Sequence, residues 1–207
     1  MYDLCVVVPA YNEQENVPVL FDELTAILKP AGVRFQLLLV DDGSRDRTSE
    51  IIRDLVDRNH NVLGLLLTRN FGHQAAVSIG RSHARGRAVA VMDADLQDQP
   101  EDLLRLYRRH LEGTDVVYAV RKSRPESFLK RSAYAVFYRI LARMANISIP
   151  ADSGEFCVMS QEFVTRLHQL PERLRYVRGL RSWLGGRQAP VAVEPDPRRT
   201  GKLGTMR

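Results

Sequence analysis

The 207 residues suffice for one good-sized core, with room for a short appendage. With 44% hydrophobic and 27% charged residues, the composition excludes a disordered or collagen-like chain, and no stretch approaches the ~18–20 uncharged apolar residues of a membrane span. The net charge of +5 hides an asymmetry: residues 1–118 hold 13 Lys/Arg against 18 Asp/Glu, whereas 119–207 hold 17 against 7, which predicts two differently tuned surfaces.

Met1 runs almost directly into the apolar LCVVVP, without a basic leader or a small-residue cleavage site, so the opening reads as a core strand and not a signal peptide. Five apolar runs then read as buried strands: 4–9, 36–41, 62–68, 88–93 and 115–120. Amphipathic segments separate them. Residues 17–28 place Val17, Leu20, Leu24, Ile27 and Leu28 at helical spacing, and 48–58 repeat the pattern. A helix from Gly72 to Arg85 is expected to end on Gly86 as its C-cap. Pro100 suits the first turn of a fourth helix. After residue 120 the rhythm changes to a long helix at 127–146, a strand at 156–160, helices near 161–169 and 172–184, and a last strand at 190–194. The tail PDPRRTGKLGTMR reads as basic and flexible. Strand–helix alternation predicts an α/β fold with a mostly parallel sheet and helices on both faces. Cys5 and Cys157 sit in apolar runs and read as core filler, in keeping with a reducing, cytoplasmic setting.

Ligands of open parallel sheets bind outside the carboxyl ends of the strands, and the polar clusters fall there: PAYNE (9–13), DDGS (41–44), TRNFG (68–72) and DADLQ (93–97). Neither G-x-G-x-x-G nor G-x-x-x-x-G-K-[ST] is present. Asp93 and Asp95, two apart in a segment read as extended, point to one side. Like charges about 4 Å apart repel by roughly 4 kcal/mol near a surface, which a bound cation resolves. With the Gln97 amide oxygen they form a hard-oxygen set suited to Mg²⁺ or Mn²⁺ sharing its coordination with phosphates. No helix-turn-helix, zinc finger or aromatic RNA-binding strand is visible, so nucleic acid is not an expected partner.

VVPAYNE, VDDGSxDxT, NFGHQAA and MDADLQDxPE together resemble the family 2 inverting glycosyltransferases of GT-A fold, and within them the polyprenyl-phosphate group typified by dolichyl-phosphate mannose synthase and bactoprenol glucosyltransferase. DVVYAVRKSR (115–124), IPADSGEF (149–156), LPERxRYVRGL (170–180) and SWLGGRQ (182–188) continue the likeness to about residue 201. The resemblance implies one GT-A domain over 1–195, with a nucleotide-sugar and metal half (1–120), an acceptor half (121–195) and a tail at 196–207. It implies that Pro9, Ala10, Tyr11, Glu13 and Asp42 line the nucleoside pocket and that Asp93 and Ala94 meet the ribose and diphosphate. Asp95 and Gln97 would ligate Mg²⁺ or Mn²⁺. Arg121, Arg131 and Arg198 would meet acceptor or donor phosphate, for which the planar guanidinium is suited. Glu155 would serve the acceptor as base or orienter, and Asp152 is a weaker candidate beside it. The implied reaction moves a hexose from a nucleotide sugar to a polyprenyl phosphate.

The implied location is peripheral, on the cytoplasmic face of a membrane, because a polybasic surface gains about 1 kcal/mol per Lys/Arg there. Oligomeric state stays open, a homo-oligomer included. Cys157 stands where relatives carry Arg, and Leu203, Gly204 and Thr205 stand where Ser, Lys and an aromatic are expected, with Lys202 as a shifted substitute. Many relatives also continue into interfacial helices and membrane spans. These departures keep two alternatives open: a saccharide or other hydroxyl acceptor, or a non-catalytic nucleotide-sugar-binding remnant. A sugar nucleotidyltransferase would show a Gly-rich loop where PAYN stands.

Overall fold

The computed structural model describes residues 1–121, 153–170 and 184–194. In chain order these form β1 (Tyr2–Ala10), α1 (Asn16–Leu28), β2 (Phe35–Asp41), α2 (Thr48–Arg58), β3 (Val62–Leu66), α3 (His73–His83), β4 (Gly86–Val91) and α4 (Pro100–Leu111). β5 (Val116–Arg121), β6 (Ser153–Ser160), α5 (Gln161–His168) and β7 (Gln188–Val193) follow. The expected helices at 127–146 and 172–184 lie outside the described residues, apart from Leu184.

Seven strands form one sheet in the order β3-β2-β1-β4-β6-β5-β7. β1 pairs in parallel with β2 and β4, and β2 with β3. β6 enters antiparallel between β4 and β5, and β7 runs parallel to β5. The carboxyl ends of β1 to β5 therefore share an edge with the amino end of β6, so residues early in β6 face the ends of β4 and β5.

The central strands are apolar on both sides because helices cover both faces. On one face Leu4, Val6 and Val8 of β1 meet Leu20 and Leu24 of α1, Ile52 of α2 and Leu103 and Leu106 of α4. On the other, Cys5 and Val7 pack with Ala76 and Val77 of α3 and Phe163 and Val164 of α5. α3 approaches closely because Gly80 lies against β1 and β2: a Cβ there would stand 2.4 Å from Val7 Cγ1 and 2.9 Å from Val40 Cγ2. Cys5 and Cys157 are buried core residues, as expected, and burial pushes the Cys5 thiol up to about 11.

Two expectations need correction. Gly86 is not a helix cap: α3 ends at His83 and Gly86 opens β4. A glycine is needed there because a Cβ would lie 2.7 Å from the Ala88 carbonyl oxygen and 2.9 Å from the Cys5 nitrogen. Nor is the segment after β4 extended. The strand stops at Val91, and Leu96 takes the left-handed conformation with φ 59°. Burial nonetheless alternates, with Met92, Ala94, Leu96 and Asp98 buried and Asp93, Asp95 and Gln97 more accessible. A folded turn thus presents the three polar side chains outward.

Candidate active site at the carboxyl edge of the sheet

Two adjacent loops build the first wall, and side chains lace them together. The Glu13 N–H donates to Thr48 Oγ1 (2.9 Å), and the Thr48 hydroxyl donates to Asp46 Oδ1 (2.6 Å). Asp46 Oδ2 accepts the Gln14 N–H, Asn12 Oδ1 accepts the Arg45 N–H, and Ser44 Oγ accepts the Asn12 N–H. Asn12 holds φ 57°, which asparagine tolerates better than most residues. Thr48 is fully buried, so this lacing satisfies donors that would otherwise be orphaned inside the protein. Pro9 and Ala10 are buried at the end of β1, and Tyr11 and Glu13 are partly accessible just beyond it.

Asp42 is buried at the end of β2, and its carboxylate accepts the backbone N–H groups of Phe71 (2.8 Å) and Gly72 (2.9 Å). It pins the β3–α3 loop. Gly43, with φ 69°, lets that loop pass: a Cβ there would sit 2.4 Å from the Arg69 carbonyl carbon. Arg69 lies over the half-exposed ring of Phe71, 4.1 Å from its centroid.

Beyond β4, Asp95 Oδ1 accepts the Gln97 N–H at 3.1 Å and shapes the turn. The buried Asp98 accepts the Asp93 N–H. The Asp93 side chain remains 41% exposed. Among the described residues no group of three or more His, Cys, Asp and Glu forms a ready-made metal cage. Asp95 and Gln97 offer hard oxygen donors at an accessible edge, which fits a divalent ion that completes its coordination with ligand phosphates and water.

At the centre stands His73, the first residue of α3, to which the sequence reading assigned no role. Its Nε2 lies 2.9 Å from Asp93 Oδ1, and its Nδ1 lies 3.2 Å from Glu155 Oε2. Glu155 arrives from β6 and is mostly buried, and the Gln74 amide donates to its other oxygen. The contact with Asp93 is a hydrogen bond, whereas Nδ1 and Glu155 Oε2 stand at ion-pair distance, and a protonated ring carries a charge that suits both carboxylates. The hydrogen bond to the Asp93 carboxylate first, then the adjacent Glu155 carboxylate, pushes His73 up to about 10 against the cost of burial.

The fold thus brings Pro9, Ala10, Tyr11, Glu13, Asp42, Asp93, Ala94, Asp95, Gln97 and Glu155 to one edge. Arg121 ends β5 at the same edge by its backbone. Arg131, Asp152 and Arg198 lie outside the described residues. Besides His73, the sequence reading gave no role to Gln74, Asp46 or Thr48. Their signal was present: NFGHQ and DxT lie in the loops that follow β3 and β2, on the edge where ligands of such sheets bind.

Residues 5–167 match the family described as Glycosyl transferase family 2. The chain is 39% identical over 201 residues to an uncharacterized glycosyltransferase of Synechocystis sp., covering 97% of this chain and 63% of that protein. It is 35% identical over 184 residues to the bactoprenol glucosyl transferase of Shigella phage SfV, covering 88% and 60%. The chain therefore spans about three-fifths of the length of these relatives. A mannosyltransferase from Pyrobaculum calidifontis, solved with GDP-Man and Mn²⁺, superposes with a TM-score of 0.67 at 21% identity over 99% of this chain and 60% of its own. The architecture is the GT-A fold, and the chain belongs to glycosyl transferase family 2.

Proposed function

We propose that this chain catalyses metal-dependent, inverting transfer of a hexose from a nucleotide sugar to a polyprenyl phosphate. The observation that carries this reading is the meeting at one sheet edge of the β4 carboxylates with Glu155, an acid delivered by the antiparallel β6. The likeness to a bactoprenol glucosyl transferase supports the lipid acceptor. In this reading the nucleoside rests against Pro9, Ala10, Tyr11 and Glu13, with Asp42 shaping the pocket floor through the β3–α3 loop. Asp93 and Ala94 meet the ribose and diphosphate.

An acceptor phosphate oxygen bonds to the anomeric carbon as the bond to the donor diphosphate breaks, and the nucleoside diphosphate leaves. The phosphate is already anionic near neutral pH, so Glu155 has orientation rather than strong base catalysis as its main task. A divalent ion held by Asp95 and Gln97 would supply Lewis-acid stabilisation of the departing diphosphate. Arg121, Arg131 and Arg198 neutralise acceptor and donor phosphates. The basic residues after 118 suit an anionic membrane surface; no helix of the described residues is long and apolar enough to cross a membrane.

The test offers purified protein radiolabelled UDP-glucose, UDP-galactose, UDP-N-acetylglucosamine or GDP-mannose, with undecaprenyl phosphate in detergent and Mg²⁺ or Mn²⁺. Label should enter the organic phase with one donor and vanish with EDTA or with Asp95→Asn. Nucleotide binding without any label transfer would instead mark a nucleotide-sugar-binding module.

A further inference from the structure

We propose that His73 is a positioning residue that holds the acceptor-side acid Glu155 in register with the donor-side acid Asp93, so that the two halves of the site are aligned before either substrate arrives. The proposal rests on the function proposed above.

Three observations converge on it. First, His73 touches both acids, 2.9 Å from Asp93 and 3.2 Å from Glu155, although they come from different strands. Second, the neighbouring Gln74 amide takes the second Glu155 oxygen, so the first two residues of α3 grip the carboxylate at both ends. Third, α3 is itself fixed relative to the donor pocket, because Asp42 accepts the N–H groups of Phe71 and Gly72 immediately before His73. One short segment thus ties a β2 acid, a β4 acid and a β6 acid together.

The physical need for such a tie is clear. Two carboxylates facing one cleft repel each other, and each would swing toward solvent or toward any cation. The His73 ring seated between them keeps the two carboxylates apart and fixes both: its Nε2 is hydrogen-bonded to Asp93, its Nδ1 stands 3.2 Å from one Glu155 oxygen, and the Gln74 amide holds the other. Misplacing a reacting group by about 1 Å can cost on the order of 10²-fold in rate.

The experiment is a double-mutant cycle on the 207-residue chain with His73→Phe, Glu155→Gln and the pair, read as kcat and KM and as thermal unfolding of the ligand-free protein. His73→Phe should lower kcat roughly 100-fold while the nucleotide-sugar KM changes less than about threefold, because the lost contacts orient rather than bind. The pair should be no slower than Glu155→Gln alone, and the two losses in Tm should be non-additive. Gln74→Ala, at an exposed position, provides a variant that keeps the fold; it should lower kcat by a smaller factor and lose that effect in the Glu155→Gln background. Multiplicative kcat losses, additive Tm losses, or a KM rise equal to the kcat loss would overturn the proposal. If the unmodified protein transfers no sugar to polyprenyl phosphate, the proposed acceptor fails; the His73 inference is then decided by the Tm cycle and by the same cycle on hydrolysis of the nucleotide sugar.

Discussion

A histidine held between two carboxylates gains most as a cation, and that makes the His73 contacts visible in the pH dependence of stability. Its folded value is about 10 against an ordinary 6.5, so between those values the folded state holds a proton that the unfolded state has lost. Stability then falls as pH rises. The contribution is fully present below about pH 6.5 and is lost on passing through about pH 10. Chemical denaturation across this range should show the decline, and Asp93→Asn with Glu155→Gln should flatten it. An unchanged slope in that double variant would mean the contacts do not hold the proton. The acidic cluster after β4 looks different at this scale too. Asp95 spends one oxygen on the Gln97 N–H and Asp93 one on His73, so part of their mutual repulsion is offset within the protein before any metal binds.

Among the elements, the loops after β1 and β2 behave as one unit because Thr48 Oγ1 both accepts from the Glu13 N–H and donates to Asp46. Thr48→Val preserves volume but takes the acceptor from the part-buried Glu13 N–H and the hydroxyl donor from Asp46, which costs about 1–3 kcal/mol. Urea denaturation should report a loss of that size. Calorimetry with the nucleotide sugar should report weaker binding, because Tyr11 and Glu13 lose their support. Unchanged donor affinity would separate this loop from the nucleoside pocket. The β3–α3 connection is the second unit. Gly72, with φ 94°, and the Asp42 carboxylate set its path, and its outcome is the placement of His73. Neither loop depends on regular secondary structure for its shape; polar side chains substitute for backbone pairing.

For the whole molecule, a site built from four strand ends should gain stability from any ligand that bridges them. UDP or GDP with Mn²⁺ should raise the melting temperature more than nucleotide or metal alone, since only the folded state presents all the contacts. Thermal-shift measurements would check this, and Asp95→Asn should remove the metal-dependent part while leaving the unliganded Tm near its starting value. A metal effect that survives Asp95→Asn would place the ion elsewhere.

Much of this architecture was legible in the chain because its signals are local. Apolar runs such as LCVVVP and QLLLVD, bounded by turn residues, located β1 and β2, and helical spacing located α1, α2 and α4. The rule that ligands gather at strand carboxyl ends pointed to the clusters that hold Asp42, Asp93, Asp95 and Gln97, and the family resemblance singled out Asp42 within its cluster. Gly86 was misread because a close backbone approach and a helix cap both demand glycine, and only the neighbouring chain distinguishes them. The turn after Val91 was misread because DADLQ alternates as a strand would, while Leu96 adopts a left-handed backbone. The meeting of His73 and Gln74 with Glu155 required the fold, since Gln74 and Glu155 are 81 residues apart. The antiparallel insertion of β6 beside β4 decides it. Hydrophobic periodicity and turn chemistry act over a few residues and could be read in order along the chain. The register of distant strands depends on how the whole core closes, and that alone determined which acids share one imidazolium.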